Sequence, residues 1–257
     1  IWTQSKSARF ETGLGNDSGE LGHNIMDHHF WVGARGKMDG YEDKYYKGRK
    51  PNGIYIPRFR NLGGASDMKD FTRGYGYQGG ASRGDYDDLV AEASYGKEFK
   101  EGALKPGGWM MNMLAFGEIL PYHDNKMTLD YEKLDQWGLP TVTFDAEIRQ
   151  NELNMRKDMM DQAAQMLEKS GARDIEPYDL PYALGLGIHE MGTARMGRNP
   201  KTSVVNGFNQ VHACKNVYVT DGAFMTSASC VNPSLTYMAF TARAADHAVK
   251  ELKNGNI

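Results

Sequence analysis

A chain of 257 residues is long enough for one large domain or two small ones and for a sizeable core, which argues against disorder. Its 33 acidic and 30 basic residues leave a net charge of -3, so no global positive field exists to draw nucleic acid or an anionic membrane surface. No uncharged apolar run approaches about 18 residues, and the opening IWTQSKSARF lacks the basic-then-apolar pattern of a secretory leader, so the expectation is a soluble chain of undetermined compartment. Two cysteines, Cys214 and Cys230, are too few for a disulfide scaffold or a four-thiolate metal site. Thirty glycines and nine prolines point to many turns.

Residues 1–107 are rich in Gly, Tyr, Lys and Asp and read as short strands joined by long loops. The run WMMNMLAFGEIL (109–120) and the pieces at 127–129 and 142–144 read as strands of one antiparallel sheet. Between 148 and 170, Leu153, Met159, Met160, Ala163, Met166 and Leu167 recur at helical spacing and Gly171 follows as a stop, which predicts an amphipathic helix with a Met-rich core stripe. ALGLGI (183–188) reads as an apolar strand ending at His189, and VYVT (217–220) as a short strand ending at Asp221-Gly222. The last helix has Asn232 as its expected N-cap, Pro233 at its first position and Asn254-Gly255 at its close.

Several motifs have ordinary readings. GYGYQG (74–79) fits G-x-G-x-x-G, yet it lacks the preceding hydrophobic strand and following helix of a dinucleotide site and reads as a glycine-rich strand or turn. Asp27-His28-His29, with His23 nearby, offers metal-type side chains, but adjacent histidines point to different faces, so no metal is expected. No G-x-S-x-G element is present, which weakens a serine hydrolase reading. His189 stands before a glycine-punctuated loop, where an imidazole able to take a proton near neutrality could face a cavity. Asn232 lies at a helix start whose unpaired N–H groups favour negative charge, and Asp221-Gly222 sits at a strand end of the kind that meets ligands, although, taken alone, a simple cap and an ordinary turn are the favoured explanations.

HEMGTARMG (189–197), SVVN (203–206), NVYVTDGAF (216–224) and NPSLTYMAFTARAAD (232–246) together closely resemble, in order and spacing, the C-terminal signature of the glucose-methanol-choline (GMC) family of FAD-dependent oxidoreductases. LGHNIMDHH (21–29) and DQWGLPTVTF (135–144) look like further family segments. The resemblance implies an α+β fold: an antiparallel-sheet substrate domain flanked by helices, plus the C-terminal strand and helix of a Rossmann-like FAD domain whose N-terminal part is missing. The segments it implies are 1–28 for the middle portion of the FAD domain, 29–190 for the substrate domain and 191–257 for the returning FAD-domain segment. The chain would then be a fragment of a protein about twice as long, inactive by itself and lacking the N-terminal FAD-binding half as its natural partner.

Carried over by position, His189 matches the catalytic histidine that takes the hydroxyl proton, and Asn232 matches the second active-site residue, which hydrogen-bonds the same hydroxyl. Asp221, Gly222 and Ala223 match the turn that approaches the flavin, and Asn232, Pro233 and Thr236 the helix start near its pyrimidine edge. The implied cofactor is FAD, the implied substrate a small alcohol or sugar oxidised at a CH–OH group, and an electron-acceptor subunit is a further implied partner. The competing reading is a non-catalytic carbohydrate-binding β-sheet module that stacks sugars on its Tyr and Trp residues. It leaves the joint order of His189, Asp221 and Asn232 unexplained.

Overall fold

The computed structural model describes residues 1–43, 53–83, 95–103, 107–180 and 182–257. Two compact units emerge, one of 30–117 and 150–182, the other of 1–29, 118–149 and 183–257. The stretches 118–149 and 183–190, assigned to the substrate segment by resemblance, thus pack with the chain's two ends.

The 30–117/150–182 unit is a five-stranded sheet with a long helix. Strands β1 (His28–Met38), β2 (Gly53–Ile56), β3 (Tyr75–Arg83), β4 (Trp109–Glu118) and β7 (Arg173–Asp179) run in the order β2-β3-β4-β1-β7, with antiparallel pairing at β2–β3, β3–β4 and β1–β7. Helix α1 (Gly96–Ala103) precedes β4, and α2 (Gln150–Lys169) precedes β7. The expected Met-rich stripe is there, but its phase differs: Met155, Met159, Ala163 and Leu167 are buried at intervals of four with Val32, Tyr75, Tyr77 and Met113, whereas Leu153 is exposed. Gly171, at φ 88°, ends the helix. GYGYQG enters β3 as a glycine-rich strand whose Tyr75 and Tyr77 are wholly buried. Tyr75 donates to Asp158, which Arg60 also grips through two nitrogens at 2.7 and 2.8 Å. Strands β1 and β7 are more regular than the short-strand reading of the first hundred residues and the unassigned 173–179 stretch foresaw.

The second unit is built mainly of loops. Its ladders are a hairpin, β5 (Lys126–Leu134) with β6 (Pro140–Asp145), and a short pair, β8 (Gln210–Val211) with β9 (Cys214–Tyr218). The expectation that β4, β5 and β6 share one sheet is therefore corrected: β4 stops at Glu118, and a turned segment closed by Tyr122 N–H to Leu120 O and Asn125 N–H to Tyr122 O separates it from the independent hairpin. Val204, Val205, Val211, Val219, Phe224 and Ala194 form the core of this unit. Helix α3 (Ser234–Lys253) lays Tyr237 and Phe240 on Phe224, their ring centroids 6.3 and 4.9 Å away. Its opposite side leaves Leu235, Met238, Val249 and Leu252 exposed.

Candidate active site

Three segments of the second unit meet through main-chain hydrogen bonds. Met26 and Met191 exchange N–H to O bonds at 2.9 Å in both directions, which lays 26–27 beside 189–191. Gly192, Ala194 and Met196 then donate in alternation to the carbonyls of Gly222, Ala223 and Phe224, at 3.2, 2.8 and 2.8 Å. The HEMGTARMG loop is thereby zipped to the DGAF turn, and the two motifs far apart in sequence become neighbours. A third contact adds the helix: a Cβ on Gly222 would lie 2.6 Å from the Tyr237 hydroxyl and 3.0 Å from the Glu190 carbonyl oxygen. A side chain at 222 would displace the Tyr237 hydroxyl and crowd the Glu190 carbonyl, so glycine is what lets these groups approach.

The turn itself is a 3-10 element over Gly222–Phe224. Asp221 caps it, its carboxylate accepting the Ala223 N–H at 2.9 Å. The expected strand at 217–220 shifts, since β9 ends at Tyr218 and Asp221 is reached through two further residues. The expected cap of α3 also shifts: Pro233, buried and at φ -91°, ψ -3°, takes the N-cap position, and Ser234 is the first helical residue. Proline has no N–H to lose, so it suits this boundary as well as the first helical position. Asn232 lies just ahead of the helix on the exposed surface, and Thr236 is exposed within the first turn.

His189 is partly buried and its Nδ1 is enclosed with no hydrogen-bond partner among the described residues. Its ring meets that of His28 edge to face, the centroids 4.8 Å apart at 86°. The 183–188 segment before it is not the strand expected. Asp27, 1% exposed, accepts the N–H groups of Gly187 at 2.8 Å and His189 at 3.3 Å, so these donors leave no ladder to form, and Ile188 between them is turned to φ 55°. Among the described residues, no three His, Cys, Asp or Glu side chains are grouped to hold a metal ion, and no helix is long and apolar enough to cross a membrane.

Two hollows flank these elements. One of about 390 Å³ is lined largely by apolar side chains, among them Ile25, Met26, Ile119 and Phe144, with Asp27 and Glu190 as its acidic members. The other, about 270 Å³, is lined by Trp2, Thr193, Tyr218, Asp221 and Ala223 among others. Tyr237, which sequence reasoning did not single out, has a hydroxyl enclosed without a hydrogen-bond partner among the described residues. Burial, reinforced by the negative charges of Asp221, Glu190 and Asp27, pushes its phenol up to about 12. It therefore stays protonated at neutral pH and can donate. Its only sequence signal was an aromatic residue four positions after a proline at a helix start.

Residues 121–241 match the family described as GMC oxidoreductase. The chain is 31% identical to the 2-methyl-1,2-propanediol dehydrogenase of Mycolicibacterium austroafricanum, the match covering 91% of this chain and 43% of that protein. It is 29% identical to the fructose dehydrogenase large subunit of Gluconobacter japonicus, over 95% of this chain and 43% of that one. In fold it resembles the formate oxidase of Aspergillus oryzae, with a TM-score of 0.52 and 17% identity, covering 93% of this chain and 48% of the other. The chain spans less than half the length of these relatives.

Proposed function

We propose that this chain, whose residues 121–241 match the GMC oxidoreductases, is the part of an FAD-dependent enzyme that presents the proton acceptor to an alcohol or sugar CH–OH group. The observation that carries the proposal is the zipper between the His189 loop and the 221–224 turn, with the first turn of α3 against it. It sets the His189 loop beside the 221–224 turn, two segments that the family resemblance names separately. The relatives are by name an alcohol dehydrogenase and the large subunit of a sugar dehydrogenase, which supports a small alcohol or sugar as substrate and leaves room for an electron-acceptor subunit.

The residues present fit part of an FAD site. Asp221 and Ala223 line the 270 Å³ hollow, the Tyr237 hydroxyl is enclosed and unpaired behind Gly222, and the first N–H groups of α3 have no intrahelical acceptor. Gly222 and Ala223 would offer main-chain surface to the cofactor, while Asn232, Pro233 and Thr236 would set a partial positive charge near its ring. The cofactor, when bound, supplies the acceptor for the hydride that leaves the substrate carbon. This chain's own contribution is the proton: an imidazole nitrogen of His189 takes it from the hydroxyl as the C–O bond becomes a carbonyl. Asn232 would orient the same hydroxyl through its side-chain amide. Nothing in the described residues supplies a glycine-rich turn feeding a helix for the pyrophosphate, since GYGYQG is part of β3.

Anaerobic stopped-flow reduction of the flavin in the full flavoprotein tests this. His189→Ala should slow reduction by about 10² to 10⁴ with FAD retained, and Asn232→Ala should slow it less. An unchanged reduction rate in His189→Ala would remove His189 from the chemistry.

A further inference from the structure

The second unit buries a carboxylate that the proposed chemistry leaves unused. Both oxygens of Asp27 are taken by main-chain donors: one accepts His28 N–H at 2.7 Å and His189 N–H at 3.3 Å, the other Gly187 N–H at 2.8 Å. A carboxylate withdrawn from water is costly unless such donors satisfy it, and two of the three belong to the loop that carries His189. The approach is close enough that a Cβ on Gly187 would lie 2.3 Å from the carboxylate, so only glycine admits it. Between the two donors Ile188 sits at φ 55°, a region that a β-branched side chain avoids, and its own side chain is 80% exposed with little packing to hold it there. The adjoining His28 ring abuts the His189 ring edge to face. One dipeptide thus holds the main chain of 187–189 and also touches the His189 ring.

We propose that Asp27 is the positioning residue of His189, its carboxylate holding the 187–189 loop in the strained form that orients the imidazole. The inference rests on the reading of His189 as proton acceptor. Asp27 does not exchange a proton with substrate in this role; it acts through the two N–H groups that bracket Ile188.

The test uses Asp27→Ala, Asp27→Asn, His189→Ala and the double variant Asp27→Ala/His189→Ala in the full flavoprotein. Displacing a reacting group by about 1 Å costs on the order of 100-fold in rate, so Asp27→Ala should slow flavin reduction by about 10 to 100-fold, with substrate affinity and flavin content unchanged. Asp27→Asn should lose about as much, because its NH₂ must face an N–H where an oxygen accepted one. In the His189→Ala background Asp27→Ala should add less than about twofold, since residues acting as a unit are not additive. A second readout is independent of turnover: histidine-selective ¹³C NMR of this chain should show the His189 signal, identified by its loss in His189→Ala, shifted and broadened in Asp27→Ala. A merely structural carboxylate would lower the melting temperature and leave that signal in place. Slow reduction in His189→Ala with a normal rate and an unmoved signal in Asp27→Ala or Asp27→Asn overturns the inference alone. A normal rate in His189→Ala overturns the proposed function instead, and the NMR signal still decides whether Asp27 sets the loop.

Discussion

The two units are held together in different ways. In the 30–117/150–182 unit, β3 and β4 pair over nine consecutive residues and a four-residue stripe of α2 covers the sheet, so repeating ladders order the main chain there. In the other unit the ladders are short, and single side chains do the same work: Asp27 on 187–189, Asn125 on Glu147, Asn209 on Val219, Asp221 on Ala223. Each such clamp satisfies one to three groups and fixes one loop. The unit that carries every proposed site residue is thus the one whose geometry depends on individual polar contacts. Loops placed in this way can present reactive groups that a regular ladder would consume.

Breaking the regular unit should cost most. Met159 is wholly buried between α2 and the sheet, so Met159→Ala should lower the unfolding free energy by about 2 to 5 kcal/mol, read from urea titration. A loss below about 1 kcal/mol would mean that the helix stripe adds little to this core.

Alkali should separate the units by their tyrosines. Burial raises Tyr75 and Tyr77 far above the ordinary phenol range, with the Asp158 charge adding to both, while Tyr237 is pushed only to about 12. A raised folded-state pKa gives stability that is complete below the unfolded value near 10 and is lost as pH climbs through the folded value. Absorbance at 295 nm should therefore show Tyr237 ionising near pH 12, a step absent in Tyr237→Phe. Tyr75 and Tyr77 should ionise only as their unit unfolds. Titration of Tyr75 and Tyr77 with the exposed tyrosines near pH 10 would contradict the closed core.

The sequence made the regular unit partly legible and the clamped unit poorly so, for one physical reason. Periodicity reports a repeating environment: it located α2 and β4, but it missed the phase that exposes Leu153 and buries Met155, the sheet to which β4 belongs, and β7. The 183–188 run has the apolar content of a strand, but its conformation is decided by Asp27, 160 residues away from Gly187, and no local pattern encodes that. The proposed site residues lie in a motif that resembles the family's in chain order. The zipper from 192–196 to 222–224 sets the turn beside the His189 loop, with Tyr237, which the sequence did not single out, against it, while Asp27 was weighed in the sequence only as a metal-type side chain.

A smaller perturbation sharpens the clamp account. Gly187→Ala places a methyl group against the Asp27 carboxylate, a clash that should cost about 1 to 3 kcal/mol, the usual range for overpacking. The loss should appear as faster hydrogen exchange at 187 and 189, with the amides of β3 and β4 unchanged. Equal loss of protection in both places would show that the clamp is not local.

The smallest effect belongs to the β5–β6 hairpin, where apolar residues are present but enclose nothing at the tip. Trp137 is 76% exposed, Leu134 54% and Leu139 48%, and the turn around them is set by Asp135, whose side chain accepts the N–H groups of Trp137 and Leu139 at 2.8 and 2.9 Å. The indole therefore adds neither burial nor a clamp, although its sequence context is as apolar as parts of the core. Trp137→Ser should shift the unfolding free energy by no more than about 0.5 kcal/mol, the ordinary range for an exposed substitution. Asp135→Ala, which removes both acceptor contacts and leaves the aromatic residue in place, should cost more than the tryptophan does, on the order of 1 kcal/mol. Urea titration of the two variants side by side checks the order. If Trp137→Ser proved the costlier, the hairpin would owe its stability to apolar packing, and the distinction between a unit held by its core and one held by single polar clamps would fail at this element.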